Sequence, residues 1–215
     1  MKKTLVLVLI FIMMFSLPSC SGRKSPAVGG SGTSMPVFAS RADIEAKLTN
    51  YKITVEFTDE TGNKTEMTEL RCDRGYIWMI GGSMLYIEYG TGKQYTLYRE
   101  NMTGIAAKLD DEDSYKTFGA VISAYLFFHE PYINGELAKA GAEKIAGRDT
   151  TAYTFNAGGF ANKFWLDDEY GVTMKYQMKT SARSGSMEVK ELSVGHAALT
   201  DMVNLSEYKI TDLSN

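Results

Sequence analysis

Cys20 is the residue of this chain best placed to do chemistry. It follows Leu17-Pro18-Ser19, and ahead of it lie a basic start at Lys2 and Lys3 and an unbroken apolar run from Leu5 to Phe15. A thiol at the end of such a series can accept a diacylglycerol, and the amine freed by cleavage can take a further acyl chain such as palmitate. More than one lipid signal is what stable anchoring needs. The apolar run is shorter than the roughly 20 residues that cross a bilayer as a permanent helix, and it ends in small residues beside the cysteine. Residues 1–19 therefore read as a lipoprotein signal peptide, and the pattern is that of a bacterial lipoprotein precursor whose domain lies outside the cytoplasm.

Other reactive residues find no partners at useful spacing. His129 and His196 have no cysteine or carboxylate at metal-ligand separation, and they read as cap or surface residues. Asp110-Asp111-Glu112-Asp113 lacks the alternating ligands and the bending glycine of a calcium loop, so it reads as a solvated helix start. Asp167, Asp168 and Glu169 read as a turn. No Gly-x-Ser-x-Gly elbow occurs, and Ser21 to Lys24, a Ser-x-x-Lys, falls in a low-complexity stretch. Gly30 to Ser34 follows no strand and Gly90-Thr91-Gly92-Lys93 precedes no helix, so neither reads as a phosphate loop. Cys72 reads as a buried structural thiol. The sequence thus predicts no catalytic constellation, no cofactor, no metal site and no enzyme.

Composition narrows the partners. Lys and Arg number 23 against 26 Asp and Glu, and loss of Lys2 and Lys3 with the signal makes the balance more acidic still. Such a chain has no electrostatic draw toward nucleic acid or an anionic surface. With Cys20 acylated, Cys72 has no thiol to pair with, so packing alone must stabilise the fold. Residues 20–40, with Gly29-Gly30-Ser31-Gly32 and two of the four prolines, read as lipidated cysteine plus flexible tether. Residues 41–215 read as one domain, expected as a monomer.

Within that domain Arg41 to Leu48 predicts a short amphipathic helix, and from Tyr51 the period changes to two. Tyr51, Ile53, Val55 and Phe57 alternate with Lys52, Thr54, Glu56 and Thr58. Glycine-containing turns then separate short strands to about Arg99, an antiparallel meander expected to break near Asn101. Ser114 to Phe128 predicts a helix apolar on most faces, which must be covered on most faces. Strands resume after Gly141, with Thr150 to Phe155, Lys163 to Leu166, Val172 to Met178, Met187 to Val194 and Ser206 to Leu213. The predicted fold is mainly β with α: a curved antiparallel sheet, an incomplete barrel of about ten strands, with the apolar helix as its cover.

Two stretches carry a family likeness. Glu143-Lys144-Ile145-Ala146-Gly147-Arg148 leads to Thr151-Ala152-Tyr153, and Phe164-Trp165-Leu166-Asp167-Asp168-Glu169-Tyr170-Gly171-Val172-Thr173-Met174-Lys175 forms a strand, an acidic turn with glycine and a strand ending in lysine. In these, and in element order over most of Arg41 to Leu213, the chain resembles the outer-membrane lipoprotein-sorting family, the LolA/LolB-like half-barrels and their lipoprotein relatives. The resemblance implies an incomplete barrel with helices across its open mouth and an apolar cavity that accepts acyl chains. Being lipidated itself, the chain looks more like an anchored acceptor than a soluble carrier.

The candidate ligand-binding residues are Val55, Phe57, Met79, Leu85, Ile87, Leu97, Phe164, Met174 and Tyr176 on strands, closed by Phe118, Ile122 and Tyr125 on the helix. The function expected is that of an envelope lipoprotein, held at the outer membrane facing the periplasm through Cys20, that binds acyl chains or lipoproteins. The alternative is an anchored interaction module that holds another envelope protein or a glycan through a sheet edge or a tyrosine-rich surface around Tyr86, Tyr95 and Tyr98.

Overall fold

The computed structural model describes residues 41–116, 137–157, 160–179 and 184–214. The described chain starts with helix α1 (Arg41–Lys47), followed by six strands in series: β1 (Tyr51–Thr58), β2 (Lys64–Cys72), β3 (Gly75–Ile80), β4 (Ser83–Glu88), β5 (Lys93–Tyr98) and β6 (Thr103–Lys108). After the short helix α2 (Asp113–Lys116) come β7 (Ala138–Ile145), β8 (Arg148–Ala157), β9 (Phe160–Asp167), β10 (Thr173–Lys179), β11 (Ser184–Val194) and β12 (Lys209–Asp212). All twelve join one open, curved sheet in the order β12-β6-β5-β4-β3-β2-β1-β11-β10-β9-β8-β7. Two meanders, β1 to β6 and β7 to β11, therefore meet at a β1–β11 seam. There Tyr51 stands opposite Val194 and Phe57 opposite Met187.

The sheet has two strands more than the expected ten. The meander does not break at Asn101: Met102 takes a positive φ of 50° and turns the chain into β6. β6 escaped the sequence reading because Thr-Gly-Ile-Ala-Ala-Lys holds a single large apolar residue. β7 escaped because its residues are exposed up to Ile145, so an edge strand of Ala, Lys, Gly and Glu carries no alternation. The last segment is shorter than expected, since Leu205–Glu207 is a 3-10 turn and only Lys209–Asp212 is strand. That strand pairs parallel with β6, so the sheet is not wholly antiparallel. The expected cover helix Ser114 to Phe128 appears as far as Lys116; Phe118, Ile122 and Tyr125 lie outside the described residues.

Local chemistry fixes the hairpins. In the β1–β2 turn the Asp59 carboxylate accepts from the Thr61 amide (2.8 Å) and hydroxyl (2.7 Å) and from the Asn63 amide (2.9 Å). These donors, the Thr61 hydroxyl foremost, lower its pKa to about 2. Gly75 is needed where β3 begins, because a Cβ there would lie 2.2 Å from the Ile87 carbonyl oxygen and 2.8 Å from Leu199.

Strand register sorts the side chains onto two faces. The Tyr51 face carries the alternating apolar residues of β1, and Ile53 and Val55 are fully buried there. The Lys52 face differs between the two meanders. Over β2 to β5 it holds Leu70, Cys72, Ile77, Met84, Tyr86 and Leu97, all buried. The C-terminal segment covers them, with Leu199 buried among them and Met202, Val203, Leu205, Tyr208 and Ile210 packed against them. On β9 the same face holds Trp165, with the ammonium groups of Lys163 and Lys175 4.5 and 5.1 Å from its ring.

Candidate functional site

The Tyr51 face runs without a break across the seam. From β4 to β8 it presents Ile87 and Leu85, Tyr76 and Trp78, Met67, then β1, then Met187 and Val189, Met174 and Tyr176, Phe164 and Leu166, and Tyr153 and Phe155. Of the nine strand residues expected to share one interior, this face brings together seven: Val55, Phe57, Leu85, Ile87, Phe164, Met174 and Tyr176. It does not bring in Met79 and Leu97, which face the other way and pack with the C-terminal segment. Alternation shows that a strand has two faces, but only pairing register shows which face joins which across strands. At the β8–β9 end, aromatic rings set the floor. Phe164 stacks on Tyr153 at 5.5 Å and meets Phe155 edge-on at 5.7 Å, and the Tyr176 hydroxyl donates to Asn162 Oδ1 at 2.6 Å.

Two charged residues interrupt this apolar surface. Glu69 and Arg71 of β2 stand on the Tyr51 face opposite Ile53 and Tyr51, and both are buried, at 0% and 5% exposure. The hydroxyls of Tyr51 and Tyr76 donate to the two Glu69 carboxylate oxygens, the latter at 3.1 Å. The Arg71 guanidinium lies 5.9 Å from the Tyr51 ring centre. Burial, and after it the Glu69 charge, push the Tyr76 phenol far above its ordinary range, so it stays a donor. Sequence reading passed over this pair. The alternation within Glu66 to Cys72 places Glu69 and Arg71 in register with Met67, which was the available signal.

Two clefts open on the sheet, one beside this face and one mainly on the Lys52 face. One, about 600 Å³, is lined by Arg71 with Glu45, Leu48, Asp73, Tyr89 and Lys116 among others. The other, about 610 Å³, is lined mainly by Lys52-face residues of β7 to β10, among them Ala138, Thr154, Lys163, Gln177 and Lys179. Asp110 to Glu112 lead into α2, which starts at Asp113, and Asp167 closes β9 ahead of the turn that holds Asp168 and Glu169. Asp167 accepts from the Glu169 and Tyr170 amides at 3.1 and 2.6 Å and from Arg148, whose second nitrogen also reaches Glu169 at 2.7 Å. Glu112 accepts from the Gly90 amide at 2.7 Å and pairs with Lys116. His196 is exposed and Cys72 is buried, while Cys20 and His129 lie outside the described residues. The tyrosine-rich surface expected at Tyr86, Tyr95 and Tyr98 does not form. Tyr86 and Tyr95 meet edge-on at 5.7 Å within the cluster beneath the C-terminal segment, and Tyr98 points to the opposite face.

No family model and no curated protein matches the chain. Solved structures similar to it include three that each overlap with about three quarters or more of this chain. The Pseudomonas aeruginosa MucA/MucB complex is 13% identical over 79% of this chain and 60% of that one, with a TM-score of 0.40. Mycobacterium tuberculosis lipoprotein LppX is 12% identical over 74% of this chain and 93% of its own, with a TM-score of 0.41. A LolA superfamily protein from Nitrosomonas europaea is 8% identical over 79% of this chain and 99% of its own, with a TM-score of 0.30.

Proposed function

We propose that this chain is an envelope lipoprotein, anchored through Cys20 and the tether to residue 40, whose domain from residue 41 takes the alkyl chain of an amphiphile against its Tyr51 face. The observation that carries this reading is the largely apolar face from β4 to β8, continuous across the β1–β11 seam and interrupted on β2 by Glu69 and Arg71. Each methylene moved from water onto such a surface gains about 0.8 kcal/mol, so ten give a gross gain near 8 kcal/mol before ordering costs. Low-micromolar affinity then needs no chemistry at all. Met174, fully buried on that face, can reshape around different chains as a branched residue could not.

The test is native mass spectrometry of the full chain purified without added lipid, followed by titration with fatty acids of increasing length. Co-purified amphiphile and affinity that rises with chain length are the expected results. Met174→Trp should weaken long chains more than short ones. A chain that emerges free of lipid and shows no saturable binding up to the micellar limits would remove the proposal.

A further inference from the structure

Trp78 of β3 holds a polar atom with nothing in the fold to meet it. Its side chain is only partly buried, yet the indole nitrogen is sealed from solvent and its N–H has no acceptor among the described residues. An indole N–H can only donate, and a buried donor left unpaired is costly enough that nearly all such groups in folded proteins find a partner. Trp78 stands on the Tyr51 face, in the row formed by Leu85 of β4, Trp78 itself, Glu69 of β2 and Ile53 of β1. Glu69 is directly opposite, but its two carboxylate oxygens accept from the Tyr51 and Tyr76 hydroxyls. Around the ring lie Leu85 and the buried cluster of Tyr76, Ile87 and Leu109. A donor sealed in this way is out of reach of a group dissolved in water. An acceptor carried inside on an apolar chain can serve it.

Strand register lays out a route for such a chain. From Trp78 the Tyr51 face continues through Ile53 and Val55 of β1 and Val189 of β11 to Met174 of β10, all of them buried apolar residues. Four strand spacings separate β3 from β10 in the sheet order, roughly 19 Å, within the reach of an extended palmitoyl chain. The deformable Met174 then lies at the tail, and Trp78 lies at the head, where an acyl group carries its carbonyl oxygen. Glu69 and Arg71 stand two positions apart on this face, one charge of each sign. The neighbourhood therefore has no surplus positive charge to hold a carboxylate, and the acceptor that fits is an uncharged one.

We propose that the Trp78 indole N–H binds the uncharged carbonyl oxygen of an acyl lipid, while the alkyl chain runs from β3 toward Met174. The inference rests on the alkyl-chain reading above and adds one recognised atom to it: acylated lipids are told from ethers of the same length. Esters and amides both carry such a carbonyl, so the two sources must be tested side by side.

The experiment is titration of the full chain with monopalmitoylglycerol, N-palmitoylethanolamine, the ether hexadecylglycerol and palmitate, followed by affinity and by the indole N–H resonances of isotopically labelled protein. Trp78 and Trp165 are the two tryptophans, and Trp165, on the Lys52 face, is the internal reference. The ester or the amide should bind about fivefold tighter than the ether, the net worth of one hydrogen bond. The Trp78 resonance should move downfield with either carbonyl ligand and not with the ether, while that of Trp165 stays in place. Trp78→Phe should erase the advantage over the ether while the ether itself still binds. If that variant fails to fold, the Trp78 resonance of the unaltered chain still decides. Whichever of ester and amide binds tighter identifies the source, and either keeps the site. Equal affinity for carbonyl and ether ligands, or an advantage that leaves the Trp78 resonance unmoved, would overturn the site and leave the alkyl-chain reading standing. Palmitate binding tighter than both uncharged carbonyl ligands would overturn it too, and binding of none of the four would overturn both readings.

Discussion

Asp167 shows how one side chain can hold a turn. Its carboxylate is buried, and it accepts from two successive backbone amides and from Arg148, so its loss strands three donors at once. Asp167→Ala should lower stability by about 2–4 kcal/mol, read as a fall in the urea midpoint with an unchanged slope. The tyrosines supply a second residue-level expectation. Burial, more than the neighbouring Glu88 charge, raises the Tyr86 phenol to about 12, and burial likewise raises Tyr89 to about 12, against an ordinary value of 10.0. The folded chain therefore keeps protons that the unfolded chain gives up between pH 10 and about 12, and stability must fall across that window. Thermal melts at stepped pH, followed with tyrosinate absorbance, should show that fall, and Tyr86→Phe with Tyr89→Phe should flatten it. No flattening would mean that these phenols titrate alike in both states.

At the level of elements, legibility followed side-chain pattern. β1 was read correctly because Tyr51, Ile53, Val55 and Phe57 alternate cleanly, and the turns at Asp59 and Gly75 carry their own chemistry. β6 and β7 were missed because strands at or near a sheet edge need not be apolar; neighbours hold them through the backbone. The faces of β3 and β5 were misassigned, since Met79 and Leu97 look no different from Leu85 until partners are known. Glu69 and Arg71 were legible as strand residues but not as buried ones. The open β7 edge is itself guarded against strand addition by Lys139, Glu143 and Lys144 and by a register shift between Lys139 and Gly141. Gly75→Ala tests the tightest element contact. The added methyl must push apart β3 and β4 or dislodge Leu199, so a loss of about 1–3 kcal/mol is expected in chemical denaturation. Wild-type stability in that variant would show that Leu199 does not press on the hairpin.

For the whole molecule, the sheet has apolar surface on both sides over β2 to β5, and the C-terminal segment is what shields the second side. A chain ending at Gly195 should expose Leu70, Ile77, Met84 and Leu97, bind a hydrophobic dye and aggregate, and a soluble truncation that does not bind the dye would refute that role. The seam between the meanders bears on how such a sheet can be made. Hairpins β2 to β6 can pair with one another as soon as they emerge, with only the outer side of β6 left to wait for Lys209–Asp212. β1 cannot: one side of it waits for residues 186–194, more than a hundred positions later. Closing so long a loop is slow, and until then Val55 and Phe57 stand on an unmatched strand edge. A chain exported before it folds would thus pass through its most adhesive form on the far side of a membrane, where an escorting chaperone, rather than its own local pairing, would decide whether it reaches the native sheet.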